Sequence, residues 1–281
     1  MHIAVFGTGA IGSTFAYQLA KAGHSVTVVA RGARLARLQV DGGITQVSGD
    51  RVSVTVAASL DPSIAYDLVL VTVLAPQVEA ALPSLTQSAA KKVMFMFNTF
   101  ESIEPLRNAV GSQRFLFGFP MGVFCLLIDG KIKPQIRSGT TVGDAESAKV
   151  FSLAGIPSEV YDDMQSWLRS HAALVIPLMA ASTIVDKRGA GISWKEARAH
   201  ADAMTDAFDI VRLLGNALAP AMVEKLSRLP KVLTTLTLWA LSRTAMLRDL
   251  GKLGPAEARM LIDMVAKAAP DKAQRLLAIR P

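Results

Sequence analysis

Residues 2–12, HIAVFGTGAIG, decide the fold. Ile3–Phe6 is a short apolar run with the look of a strand. A helical pattern follows from about Ile11 to Ala22, with Gly23 as its C-terminal stop. Between the two, Gly7-Thr8-Gly9-Ala10-Ile11-Gly12 spells GxGxxG. In a strand–turn–helix frame each glycine has a task. Gly7 permits the tight turn, Gly9 lets the backbone approach a pyrophosphate, and Gly12 lets the helix pack closely on the strand. The helix N-terminus adds free N–H groups and a partial positive charge. The whole loop, Gly7, Thr8, Gly9, Ala10, Ile11 and Gly12, is expected to hold a dinucleotide. The alternative is a purely structural glycine turn.

The pattern continues outward in βαβ units. Ser25–Ala30 is β-branched and predicts a second strand, Val52–Val56 alternates, and Leu68–Thr72 is a continuous run suited to a strand buried on both faces. Val78–Ser88 is helical and Val93–Phe97 is again strand-like. This spacing predicts a parallel sheet. From Arg114 to Val142, short pieces with turns at Asp129-Gly130 and Ser138-Gly139 predict hairpins added to the sheet edge. After about Gln165 the strands cease, and Ser166–Val185, Trp194–Gly215, Lys231–Leu250 and Ala256–Leu277 have helical periods. Pro177 is expected to kink the first of these, and Asp186–Ser193 to form a loop. The expected class is therefore α/β: a Rossmann-like NADP(H)-binding domain over 1–165, then an all-α substrate and dimerisation domain over 166–281.

The end of the second strand bears on the cofactor. An acidic residue there would bind the ribose hydroxyls of NAD, but this chain has Ala30-Arg31-Gly32, with Arg34 and Arg37 beyond. An arginine can grip a 2′-phosphate that a carboxylate would repel. NADP(H) is the expected cofactor and Arg31 its partner, with Arg34 and Arg37 on the solvent face of a short helix.

Composition limits the other classes. Of 281 residues 51% are hydrophobic and 19% charged, which is not a disordered composition. Cys125 is the one cysteine and has no partner for an internal disulfide. The mean hydropathy of +0.35 raises the question of a membrane. The apolar runs at 68–76, 172–181 and 232–241 fall short of the ~18–20 residues of a span, and the N-terminus lacks a basic leader region. No membrane and a cytoplasmic location are expected. The net charge of +7 arises after residue 165, where 17 Lys/Arg face 10 Asp/Glu. Those charges are scattered rather than run together, so nucleic acid is not expected. The four histidines lack metal spacing, GxSxG is absent, and the glycine loop lacks the Lys-Ser/Thr of a P-loop. Trp167, Trp194 and Trp239 are expected as core or interface anchors. The apolar helical half suits a homodimer.

Taken together, GTGAIGS (7–13), ARGARLARLQVDGGI (30–44), LVTVLAPQVEAAL (70–82) and the strand end at Asn98 resemble the ketopantoate reductase (2-dehydropantoate 2-reductase) family. SWLRSHAALVIPLMA (166–180) and the segment around Glu257 resemble it more faintly. The resemblance implies an NADPH-binding Rossmann domain, a helical domain and an active site in the cleft between them. There a hydride passes from NADPH to the ketone of a 2-oxo acid and a lysine donates the proton. Gly7, Gly9 and Gly12 fall on the pyrophosphate motif, Arg31 on the residue that meets the 2′-phosphate, and Asn98 on the asparagine near the nicotinamide. Thr99 follows Asn98 where glycine is usual, and Leu74 stands where the family has a lysine near the cofactor.

The helix that would carry the catalytic lysine, and an asparagine one turn on, reads Trp167-Leu168-Arg169-Ser170-His171-Ala172-Ala173 and has neither. Arg169 cannot replace the lysine as proton donor, because its pKa is too high. His171 can act as an acid near neutral pH; it is equally a candidate for simple packing. Glu257 aligns with the family's substrate-binding carboxylate, and Ser242 or Thr244 is a candidate substrate hydroxyl. The chain ends soon after Arg280, which suggests a shortened helical domain. The expected function is an NADPH-dependent reductase, a dehydrogenase acting on CH–OH donors. Its substrate would be a small anionic 2-oxo acid or related carbonyl, and the missing lysine speaks against ketopantoate itself. The alternative is an NADP(H)-binding sensor or assembly protein that lost the chemistry with the lysine.

Overall fold

The structure is a computed structural model that describes residues 1–252 and 254–281. It divides into two compact units, one of Met1–Phe97 with Ile103–Met164, the other of Asn98–Ser102 with Gln165–Pro281.

The first unit runs β1 (His2–Phe6), α1 (Ala10–Lys21), β2 (Ser25–Val29), α2 (Gly32–Asp41), β3 (Gly43–Thr45), β4 (Arg51–Ser53), β5 (Thr55–Ala57), β6 (Leu68–Val71), α3 (Val78–Gln87) and β7 (Val93–Phe95). It continues with α4 (Glu104–Val110), β8 (Phe115–Phe119), β9 (Val123–Ile128), β10 (Lys131–Ile136), β11 (Thr140–Val142), α5 (Ala145–Leu153) and β12 (Ser158–Val160). The main sheet has the order β12-β11-β8-β7-β6-β1-β2-β5. From β5 to β8 every pairing is parallel. Counting only those six strands along the chain, the spatial order is third, second, first, fourth, fifth, sixth, that of a doubly wound Rossmann sheet. All four residues of β6 are buried, as are Ile3–Phe6 of β1, so these central strands are apolar on both faces.

Two local expectations need correction. Val52–Val56 is not one strand: β4 pairs with β3 and β5 with β2, in different sheets. The hairpin β9–β10 does not extend the main sheet. Beyond β8 the sheet is continued by β11, antiparallel to β8, and by β12. The hairpin instead forms its own two-stranded sheet, and its Val123 and Ile132 are buried in the same core as Phe15 and Leu19 of α1.

The second unit is helical: α6 (Met164–Arg188), α7 (Trp194–Leu213), α8 (Ala221–Ser227), α9 (Lys231–Leu241), α10 (Ala245–Gly251), α11 (Ala256–Ala268) and α12 (Gln274–Ala278). α6 runs through Pro177 and onward to Arg188, so residues 186–188 are helical rather than loop. By length and composition alone it is apolar enough to cross a membrane. Its Ala172, Ala173, Ile176, Ala181 and Val185 are buried in the core of this unit. Of the tryptophans, Trp167 is buried and Trp194 exposed.

The two long C-terminal helical patterns each divide. Between α9 and α10, Ser242 Oγ donates to Trp239 O and Thr244 Oγ1 caps α10 by accepting from Leu247 N; such local bonds compete with a continuous helix. Between α11 and α12 lies Pro270, which disfavours helical backbone at the residue before it, and Ala269 is non-helical (φ −147, ψ 73). The helical unit also includes Asn98–Ser102, placed with the first half by the sequence reading. Phe100 is buried in the helical core, and neighbouring backbone carbonyls accept bonds from α6 (see below).

Candidate active site

The glycine loop lies at the carboxyl ends of β1 and β6, where the strand order reverses, the position at which doubly wound sheets bind ligands. Gly7 has φ +101, open to glycine at little cost, and a Cβ there would meet Val73 Cγ1 at 2.8 Å. A Cβ on Gly12 would run into the Gly7 carbonyl oxygen and Thr72 Oγ1. That hydroxyl donates to Gly7 O at 2.5 Å, tying the β6 end to the turn. Gly9 is different: among the described residues nothing lies within 4 Å of its Cβ position. It begins α1 without a side-chain cap, so first-turn N–H groups remain for a ligand. Thr8 Oγ1 is buried with no hydrogen-bond partner among the described residues. An open cradle, uncapped helix amides and an orphaned hydroxyl fit the pyrophosphate of a dinucleotide.

Arg31 follows β2 as the N-cap residue of α2 and is exposed, with no ion pair or side-chain hydrogen bond among the described residues. Leu74, after β6, is 65% exposed and offers an apolar surface. Arg34 departs from the expectation of a solvent-facing residue. It is half-buried and donates from Nε to Thr8 O (3.0 Å), from Nη2 to Ser13 Oγ (2.9 Å) and from Nη1 to Gly130 O (2.8 Å). It thus ties α2 to the glycine loop, to α1 and to the β9–β10 turn. The sequence signal available was the i,i+3 spacing from Arg31, which carries no information about burial. Arg37, by contrast, forms an exposed pair with Asp41. We expect Arg34→Met to lower stability by about 2–3 kcal/mol, the scale of lost hydrogen bonds to a charged group. It should weaken NADPH and NADH equally, because the loop it supports meets the part the two share; paired titrations of the variant check this.

In the helical unit Asn98 and Glu257 come together. Asn98 Nδ2 donates to Glu257 Oε1 at 3.1 Å, joining the strand-end segment to the first turn of α11. Asn98 Oδ1 is buried and without a partner among the described residues, so it is available to accept a bond from a ligand. Gln165 and Arg169, one helical turn apart on α6, donate to Glu101 O (3.1 Å) and Phe100 O (3.1 Å), and Lys267 pairs with Glu101. Glu101 and α11 line an open cleft of about 460 Å³. Ser242 and Thr244 are engaged locally: Ser242 is buried and accepts from Ile192 N, and Thr244 caps α10.

His171 stacks on Trp167, ring centroids 5.2 Å apart and planes 10° from parallel. Two residues beyond Arg169, it lies roughly 160° around the helix from the face that holds Phe100. Burial pushes its pKa down to about 4, so the imidazole is neutral at physiological pH. Between about pH 6.5 and 4 the unfolded chain binds a proton at this residue that the folded chain does not. Stability therefore falls as pH drops through that window. Burial lowers His200 in the same direction. We expect His171→Gln to recover about 2 kcal/mol of the acid-side loss, seen as a flatter melting temperature between pH 6.5 and 4 than in the unaltered protein.

An open sheet in this strand order with GxGxxG at its reversal point is a Rossmann-type domain, here with a helical unit after it. Residues 3–147 match the family model described as "Ketopantoate reductase PanE/ApbA". A 2-dehydropantoate 2-reductase from Vibrio cholerae is 34% identical over 146 residues, which cover 51% of this chain and 45% of that protein. The match thus spans less than half of the curated relative. Among solved structures, a PanE/ApbA family ketopantoate reductase from Ralstonia eutropha JMP134 is similar with a TM-score of 0.75 at 21% identity, over 100% of this chain and 96% of that one. D-mandelate dehydrogenase in complex with NADH has a TM-score of 0.76 at 14% identity, covering 100% and 97%. At these identities the two structures speak to the fold. The chain belongs to the ketopantoate reductase PanE/ApbA family.

Proposed function

We propose that this protein is an NADPH-dependent oxidoreductase that reduces a small 2-oxo acid or a related carbonyl. The observation that carries the proposal is the glycine loop: among the described residues the space above Gly9 is open, Thr8 Oγ1 is unpartnered and Arg31, beyond the neighbouring strand, is unpaired. Residues Gly7–Gly12 would hold the pyrophosphate and Arg31 the 2′-phosphate, while Leu74 covers the cofactor with apolar surface. The cofactor, when bound, supplies a hydride to the carbonyl carbon. Asn98 and Glu257 orient the substrate: the Glu257 carboxylate accepts from a substrate hydroxyl where one is present, and Asn98 Oδ1 accepts from a separate N–H or O–H of the bound ligands. Of the two proton sources expected, His171 and water, we favour water, because an imidazole that burial holds neutral at physiological pH is a poor donor.

Steady-state NADPH oxidation against a panel of 2-oxo acids tests the proposal; turnover with at least one member is expected. The second reading, an NADP(H)-binding sensor or assembly protein, rests on α6 having Arg169 in the stretch where the family lysine is expected. It predicts tight NADPH binding with no turnover on any member. We place the protein in the cytoplasm, in keeping with its single free cysteine. Its homodimer would form through the helical unit, where Val232, Leu233 and Leu236 of α9 are exposed.

A further inference from the structure

Arg169 sits on α6 in the helical unit. It is half-buried, which costs hydration, and groups so placed are ordinarily paired with a carboxylate. Arg169 has none among the described residues: its hydrogen bonds go to a carbonyl and an amide oxygen, and burial, with no nearby charge, lowers its pKa. Its recorded partners are neutral. Nε donates to Phe100 O at 3.1 Å and Nη1 to Asn216 Oδ1 at 2.5 Å. The guanidinium carbon sits 5.6 Å from the centroid of the Phe100 ring. Asn216 is itself fixed, donating from Nδ2 to Ser166 Oγ at 3.1 Å.

Two of the five N–H groups are thereby anchored, and the guanidinium is held in one orientation. Nη2, with both its hydrogens, has no partner among the described residues. The first anchor is two residues from Asn98, whose Oδ1 also lacks a partner. A pre-oriented fork with a free edge and no counter-ion is complementary to a planar oxyanion.

We infer that Arg169 is the anion-recognition residue of the substrate site and holds the carboxylate of the carbonyl substrate. This rests on the reading of the protein as a reductase, and it narrows the substrates to those bearing a carboxylate within reach of the carbonyl that is reduced. It also gives the position a role that needs no proton donation: Arg169 stays charged throughout and binds rather than transfers.

The test is titration of oxamate, a 2-oxo acid isostere, and of its uncharged amide, oxamide. Calorimetry would follow both with and without saturating NADPH, in the unaltered protein, Arg169→Lys and Arg169→Gln. Oxamate should bind the unaltered protein at least ~30-fold more tightly than oxamide, with affinity falling as salt rises. Arg169→Gln should lose about 30-fold or more for oxamate and nothing for oxamide. Arg169→Lys, which keeps the charge and loses the fork, should lie between, at about a 10-fold loss. Equal oxamate affinity in the unaltered protein and in Arg169→Gln would overturn the inference, as would an unaltered protein that binds NADPH and shows no preference for oxamate. If Arg169→Gln does not fold, Arg169→Lys decides: a loss for oxamate alone supports the role, and no loss sinks it. Failure of NADPH to bind at all is a separate result that counts against the reductase reading, since the titrations without nucleotide still report on Arg169.

Discussion

Gly9→Val is expected to leave the fold intact and remove nucleotide binding. The Cβ position of Gly9 has no atom of the described residues within 4 Å, and its backbone (φ −70, ψ −163) is open to any residue. A valine there strains nothing in the protein, so the melting temperature should stay within about 2 °C. The new side chain occupies the open space over which a pyrophosphate would approach the α1 amides. Affinity for NADPH and NADH alike should fall by more than ~100-fold, or about 3 kcal/mol. Gly12→Val should behave in the opposite way. Its Cβ collides with Gly7 O and Thr72 Oγ1, and overpacking of that kind costs about 1–3 kcal/mol. Its melting temperature should drop before any question of binding arises. Thermal melting and calorimetry on the two variants separate a glycine kept for a ligand from one kept for helix packing.

The second large effect is one of selectivity. Arg31→Ala should weaken NADPH about 10- to 100-fold, the scale of hydrogen bonds to a charged group, and change NADH by less than about 2-fold. Arg31 is exposed and makes no ion pair or side-chain bond among the described residues, so its removal leaves no group unsatisfied and stability should be unchanged. Arg34, three residues on, should show the complementary pattern of lower stability and equal loss for both nucleotides. If Arg31→Ala weakened NADH as much as NADPH, the assignment of Arg31 to the 2′-phosphate would be wrong.

The parallel half of the fold was legible because its signals are local. A continuous apolar run such as Leu68–Val71 has few uses outside a two-sided sheet, and GxGxxG needs only a strand before it and a helix after it. What the sequence concealed depends on contacts between distant residues. Nothing in Gly122–Val142 says whether a hairpin joins the main sheet or covers α1, because both placements bury Val123 and Ile132 equally well. The breaks at Ser242–Thr244 and Ala269–Ala273 come from side-chain bonds and a proline that helical periodicity overlooks. In the candidate site, Asn98 and Glu257 are 159 positions apart in the chain and still share a hydrogen bond. Arg34 shows the limit most plainly: its part in supporting the glycine loop follows from Gly130 O and Thr8 O lying within reach, which no spacing rule contains.

Whether this protein is a reductase is decided by following the hydride itself. NADPH deuterated at the transferable C4 position is incubated with the protein and a carboxylate-bearing 2-oxo substrate, and the product is read by mass spectrometry and NMR. One deuterium is expected on the new carbinol carbon, at a rate that collapses in Gly9→Val. Tight binding of NADPH with no label transferred to any member of a 2-oxo acid panel would contradict the reductase reading.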